Sequence, residues 1–214
     1  MNIPSLRPLA APLLAAALLA TGGHALGADP RQPGKGVRVQ PLKSSIAEET
    51  FQTLLVMKGL QRLGYDVQPI REVEYPAAHL AISNGDATFL ADHWDPLHNE
   101  YYANSGGDAK LWRDNAYSPD GIQGYLIDKK TAEAHGITHL SHLADPAIAK
   151  LFDSDGDGRA NLTGCTPGWG CEAQIETQLT AYKLRPTVQH VQGSYPALMA
   201  DVIQRYQAGQ PILY

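Results

Sequence analysis

The chain has 214 residues and a formal net charge of -5, with 43% hydrophobic and 18% charged residues. This is the balance of a soluble globular protein long enough to bury a core, not of a fibrous or disordered chain. The negative charge, with no basic run to offset it, argues against a nucleic-acid partner.

The chain opens with one cation, Arg7, then a Leu/Ala-rich run over residues 8–20 and small residues including Ala25, Gly27 and Ala28. That order predicts a secretory signal peptide over about residues 1–28. Pro12 breaks the apolar run, which is shorter than the roughly 20 residues that span a bilayer. No cysteine follows it to carry a lipid. Export places Cys165 and Cys171 in an oxidising compartment, where one disulfide is the simplest reading and a metal pair the weaker one. So short a loop would gain about 2 kcal/mol from the bond.

Residues 36–42 alternate as a first strand. Ser45 and Glu48 form a capping-box pattern, and Phe51, Leu54, Leu55, Met57, Leu60 and Leu63 recur at helical spacing before Gly64. Residues 65–70 alternate as a second strand, so the start of the chain reads as a strand, helix, strand unit of a parallel α/β sheet. Tyr75-Pro76 opens a helix that stops at Asn84-Gly85, and residues 87–91 read as a third strand. The loop after that strand carries His93-Trp-Asp-Pro-Leu-His98. Open α/β sheets place their ligands at strand ends, which makes Trp94 and His98 candidate binding residues.

Residues 124–128 read as another strand, followed by a helix-rich region from Lys129. Helices are expected over 145–152 and 172–184, a strand over 188–191, a helix from Tyr195-Pro196 to Gly209, and a last strand over 211–214. Leu198, Met199, Val202, Ile203 and Tyr206 line one face of that final helix. His135, His139 and His142 read as a solvated face, and Trp112 as packing.

The segment Cys165-Thr-Pro-Gly-Trp-Gly-Cys171 presents an indole, Trp169, between small residues. The amides of Gly170 and Cys171 would lie at the start of the following helix, where unpaired N–H groups and the dipole favour an anion. An aromatic face beside an anion pocket is thus expected. Asp153-Ser-Asp-Gly-Asp-Gly158 resembles the front half of a calcium loop, but position twelve is Gly164 instead of a bidentate Glu. A solvated Asp/Gly turn explains it without an ion. No nucleophile elbow or phosphate loop is present in the sequence, which gives no reason to expect an enzyme or a cofactor.

Five stretches give the chain a resemblance to the periplasmic glycine betaine-binding proteins of ProU-type ABC importers, the ProX family. They are Ile46 to Val56, Gly85 to Phe89, Trp94 to His98, Gln123 to Ala132, and Asp155 to Glu172 with its Cys-x-Pro-Gly-Trp-Gly-Cys core. The resemblance implies an α/β, two-lobed (type II) substrate-binding fold that closes on its ligand at a hinge. Residues 29–132 would form part of the first lobe and 133–214 the second. It further implies Trp94 and Trp169 as walls of a box for a quaternary ammonium, with His98 and the Gly170 and Cys171 amides meeting a carboxylate. The ligand would be glycine betaine or proline betaine, and the partners an importer's permease and ATPase. A choline or carnitine receptor, or a non-functional truncated fragment, is the alternative within this fold, and a calcium-stabilised secreted module the alternative outside it. In the family a third box tryptophan and a return to the first lobe follow the position of Tyr214. The chain is therefore expected to lack about a C-terminal third, to leave the first lobe incomplete and to bind betaine weakly.

Overall fold

A computed structural model describes residues 31–114, 116, 118 and 121–214. The expected signal region lies outside the described residues. The elements run β1 (Arg38–Val39), β2 (Pro41–Lys43), α1 (Ala47–Arg62), β3 (Asp66–Val67), β4 (Arg71–Glu72), α2 (Tyr75–Asn84), β5 (Phe89–Leu90) and α3 (Asn99–Asn104). They continue with α4 (Lys129–His135), α5 (Pro146–Ala149), β6 (Ala160–Thr163), α6 (Gly170–Ala181), β7 (Val188–Val191) and α7 (Tyr195–Gln207). The named strands pair in parallel, as β1-β3, β4-β2-β5 and β6-β7. Helices linking parallel strands produce this α/β arrangement.

The single strand expected over 36–42 divides at Gln40. Its backbone N–H donates to Thr88 Oγ1 at 2.9 Å, and its side-chain amide donates to the Pro41 and Pro69 carbonyls. Pro41 then enters β2 without an N–H to give. The chain consequently serves β3 on one side of Gln40, and on the other lies between β4 and β5, where Leu42 sits opposite Arg71 and Leu90. Strand β4 has no counterpart in the expected elements. The two strands expected over 124–128 and 211–214 reduce to one antiparallel bridge between Ile127 and Leu213. Leu126 and Tyr214 exchange backbone hydrogen bonds beside it.

Helix α1 does not use the expected Ser45/Glu48 box: its N-cap is Ile46, with no side-chain cap bond. Ser44 Oγ accepts from the Ile46 N–H at 3.1 Å, and the Glu49 carboxylate accepts from the Ser44 N–H and hydroxyl at 3.0 and 2.6 Å. The inward side is also different. Glu49, Thr53 and Met57 are buried, while Phe51, Leu54, Leu55 and Val56 are exposed. In α7, likewise, Val202 is buried but Ile203 and Tyr206 are exposed. Helix α2 ends as the Asn-Gly signal predicts, with Gly85 left-handed at φ 82°.

The main core surrounds β6 and β7, where Phe152, Leu162, Leu179 and Leu184 are fully buried. Leu42, Ala78 and Ala87 form a smaller cluster under β2 and α2. Truncating Leu162 to Ala should remove about 2–5 kcal/mol of stability, read from the denaturant midpoint. A loss under about 1 kcal/mol would show that this core is loosely packed.

Candidate functional site

The loop after β5 folds back on itself. His98 N–H donates to the Trp94 carbonyl at 2.7 Å, and the Trp94 N–H donates to His98 Nδ1 at 3.1 Å. The Asp95-Pro96 peptide inside this turn is cis. The turn feeds α3 and buries His98 completely, at 0% exposure. The Tyr75 ring packs on the imidazole with centroids 4.1 Å apart.

The second loop follows β6. Cys165 and Cys171 are disulfide-bonded, as expected, and α6 starts at Gly170, two residues before the expected position. Trp169 is its N-cap and contributes no side-chain cap. Gly170 and Cys171 therefore occupy the first turn, where helical carbonyls do not take up the N–H groups. A side chain at Gly170 could not fit: a Cβ would lie 2.7 Å from Leu97 Cγ and 3.1 Å from the Leu97 carbonyl. That close approach seats the disulfide loop on the Trp94 to His98 turn. Tyr101 reinforces the contact by donating to the Gly168 carbonyl at 2.8 Å.

Trp169 is not freely presented, as its flanking glycines suggested, but is buried at 5% exposure. The rings of Tyr75 and Tyr195 lie 5.2 and 5.5 Å from it, and its Nε1–H donates to Glu74 at 2.6 Å. Trp94 is half-buried against the Tyr75, Cys165 and Trp169 cluster and donates from Nε1 to Glu49 at 3.2 Å. Both predicted tryptophans, His98, Gly170 and Cys171 thus belong to one contiguous region. Trp112, in contrast, is 84% exposed.

The hydrogen bonds assign the imidazole protons. The Tyr75 carbonyl can only accept, so His79 Nδ1 donates to it, leaving His79 Nε2 to accept from His93 Nδ1 at 3.0 Å. His93 Nε2 then accepts from Arg113 at 2.9 Å. His98 Nδ1 is occupied by the Trp94 N–H, which places the His98 proton on Nε2. That nitrogen is buried and has no hydrogen-bond partner among the described residues. His79, His93 and His98 are near enough to hold a metal ion, yet with these bonds in place their lone pairs do not converge. Burial is the first cause that lowers the pKa of all three, His93 to about 4 and His98 to about 3, with neighbouring imidazoles adding to the effect in the latter two. They are neutral at pH 7.

Asp153, Asp155 and Asp157 also cluster. Their oxygens accept from the loop's own donors: Asp153 from the Gly156 and Gly158 N–H groups, Asp155 from the Asp157 N–H, and Asp157 from Arg159. These are the internal bonds of an Asp/Gly turn. His135 and His139 are exposed, and His139 caps the turn at Ser141. A surface cavity of 410 Å³ bordered by Leu151, Ser154, Asp201 and Arg205 includes none of the candidate residues.

Sequence reasoning missed Tyr75, Tyr195, Tyr101, Glu49 and Glu74. Tyr75 and Tyr195 both occupy the first helical position before a proline, a repeated Tyr-Pro pattern that by itself signals only a helix start. No local signal marks the two glutamates, which act over long sequence separations.

Comparison with known proteins gives the chain its family. The chain belongs to the family described as the substrate-binding domain of the ABC-type glycine betaine transport system, whose model matches residues 38–214. It is 55% identical over 182 residues to the glycine betaine-binding periplasmic protein OusX of Dickeya dadantii. It is 54% identical, also over 182 residues, to the glycine betaine/proline betaine-binding periplasmic protein of Escherichia coli. Each alignment covers 85% of this chain and 55% of the relative, so the chain spans about half the length of these proteins. Among solved structures, the ProX protein of Borrelia burgdorferi aligns with a TM-score of 0.65 at 18% identity, covering 82% of this chain and 61% of that one. A choline-binding protein with choline bound gives 0.60 at 19% identity, with 82% and 58% covered. Lactococcal OpuAC, closed on glycine betaine, gives 0.59 at 17% identity, with 83% and 63% covered. These alignments carry the fold: the chain has the α/β architecture of such binding proteins, and among its described residues no helix is long and apolar enough to cross a membrane.

The buried histidines predict a pH dependence. An unfolded chain titrates its imidazoles near pH 6.5, whereas the folded His93 and His98 titrate at about 4 and 3. Between these values the unfolded chain binds more protons, so stability is full above about pH 6.5 and is lost as the pH falls toward 4. Melting temperatures should decline from pH 6.5 to 5, and replacing His93 and His98 by Gln should remove most of that slope. An unchanged slope in the double variant would contradict the burial.

Proposed function

We propose that this chain captures glycine betaine or proline betaine for an ABC importer, in the periplasm after cleavage of a signal peptide, and performs no chemistry on its ligand. The observation that carries the reading is His98 Nε2–H, a buried donor without a partner among the described residues, on a ring that Tyr75 links to the Trp169 indole. Leaving such a donor unsatisfied costs about 1–3 kcal/mol. A carboxylate oxygen would recover that cost.

The rest of the ligand follows from the other groups. A trimethylammonium has no N–H to donate, so Trp94 and Trp169 would hold it by cation–π attraction and contact with its methyls, about 0.5–2 kcal/mol per desolvated face. The Gly170 and Cys171 amides, at the positive end of α6, would share the carboxylate with His98. Because His98 is neutral, it would select the anion through a directed hydrogen bond instead of a second charge. No cofactor or metal is needed.

In this reading residues 29–132 supply Trp94 and His98, and residues 133–214 supply Trp169, Gly170 and Cys171. Separation of the two halves would uncover Trp169, and ligand would stabilise the closed arrangement that the permease and its ATPase recognise. Choline is the rival ligand. Its hydroxyl offers no anion to the helix start, which is why the paired amides and His98 favour a betaine.

Calorimetric titration of this chain should show tighter binding of glycine betaine than of choline. His98→Ala should weaken betaine by roughly 10- to 100-fold, the loss of a hydrogen bond to a charged group, and leave choline nearly unchanged. Choline displacing glycine betaine at equal concentration would overturn the assignment.

A further inference from the structure

The two site tryptophans are held in the same way. Trp94 Nε1–H donates to Glu49 Oε1, and Trp169 Nε1–H donates to Glu74 Oε2. Each indole therefore has a carboxylate at its N–H edge, although the two glutamates lie on different parts of the chain: Glu49 in the first turn of α1 and Glu74 as the N-cap residue of α2. Glu49 is 1% exposed, and four donors meet its two oxygens: Tyr75 Oη at 2.5 Å, Trp94 Nε1, and the Ser44 N–H and hydroxyl. Glu74 is half-buried, and its bond to Trp169 is short for an N–H donor, at 2.6 Å. Charge-assisted bonds of this kind are stronger than neutral ones and fix geometry.

We propose that Glu49 and Glu74 are positioning and specificity-determining residues, which lock the two indoles and place a negative charge behind each, so that the site prefers a permanent cation to an uncharged group of the same shape. The proposal rests on the betaine reading above and adds a source of selectivity to it. The indole face attracts a cation through its quadrupole. A carboxylate bonded to the ring N–H pushes electron density toward that face and adds a direct attraction that burial leaves weakly screened. An uncharged tert-butyl group would gain the apolar contact but neither of these effects.

Glu74→Gln is the informative substitution, because Gln keeps an oxygen for the Trp169 N–H and removes only the charge. Glu49→Gln is harsher: an amide nitrogen in place of either oxygen faces an N–H donor, Ser44 on one side or Trp94 on the other. The test compares glycine betaine with its carbon isostere, 3,3-dimethylbutanoate, in calorimetric titrations of wild type and Glu74→Gln. The wild type should prefer glycine betaine, and the variant should lose roughly 3- to 10-fold of that preference through weaker betaine binding, with isostere affinity unchanged. Equal loss for both ligands would reduce Glu74 to a structural role and overturn the proposal, as would an unchanged preference. In ligand-free protein, the Trp169 indole proton resonance should move upfield in Glu74→Gln and further in Glu74→Ala; a resonance that does not move would refute the indole lock. If the wild type binds neither ligand, the betaine reading itself fails, and the selectivity proposal with it.

Discussion

A single buried carboxylate ties the start of the chain to the candidate site. Glu49 receives donors from Ser44, Tyr75 and Trp94, which belong to the β2–α1 turn, the first residue of α2 and the loop after β5. Removing a charge from water is costly unless hydrogen bonds replace its hydration, and four donors do so here. Removing one donor would leave a buried acceptor short of partners, so the three segments are coupled. Burial, reinforced by the bond to Glu49, raises the pKa of the Tyr75 hydroxyl well above that of an ordinary phenol, and the phenol stays a donor at any physiological pH. Its ring in turn contacts both His98 and Trp169.

The fit between the two loops depends on that anchored ring. Tyr75 spaces the imidazole of one loop from the indole of the other, Leu97 fills the gap that Gly170 leaves, and Tyr101 joins the rims. The short disulfide holds the second loop so that α6 begins directly at Gly170. Helix start, indole and imidazole are thereby brought into one region. The Tyr75–His79 turn of α2 extends the same order to the histidines, because one carbonyl that can only accept determines the proton positions in the chain of His79, His93 and Arg113.

Much of this was readable from local pattern. The Asn84-Gly85 stop, the Tyr-Pro helix starts, the 188–191 strand and the cysteine pair all depend on chemistry within a few residues. Failures occurred where a distant partner decides. Helical spacing located α1 but not its inward side, because Glu49 and Thr53 are drawn in by Ser44, Tyr75, Trp94 and Asp92, against the pull of the apolar residues. Alternation suggested one strand over 36–42, yet the Gln40 side chain and Thr88 divide it between two sheets. Of the candidate site, the two loops that carry Trp94, His98, Trp169 and the two amides were legible from loop position and family motif. The burial of Trp169, and the glutamates and tyrosines that cause it, were not, since these contacts link residues up to 95 positions apart.

The central claim is that His98 offers one buried proton, on Nε2, to an anionic ligand group. Nitrogen-15 NMR of the imidazole ring at pH 7 tests it most directly. A neutral ring protonated on Nε2 and bare on Nδ1 is predicted for the ligand-free protein, with the Nε2 proton moving downfield when glycine betaine is added. A ring protonated on Nδ1, or an Nε2 signal that saturating glycine betaine leaves unmoved, would contradict the account.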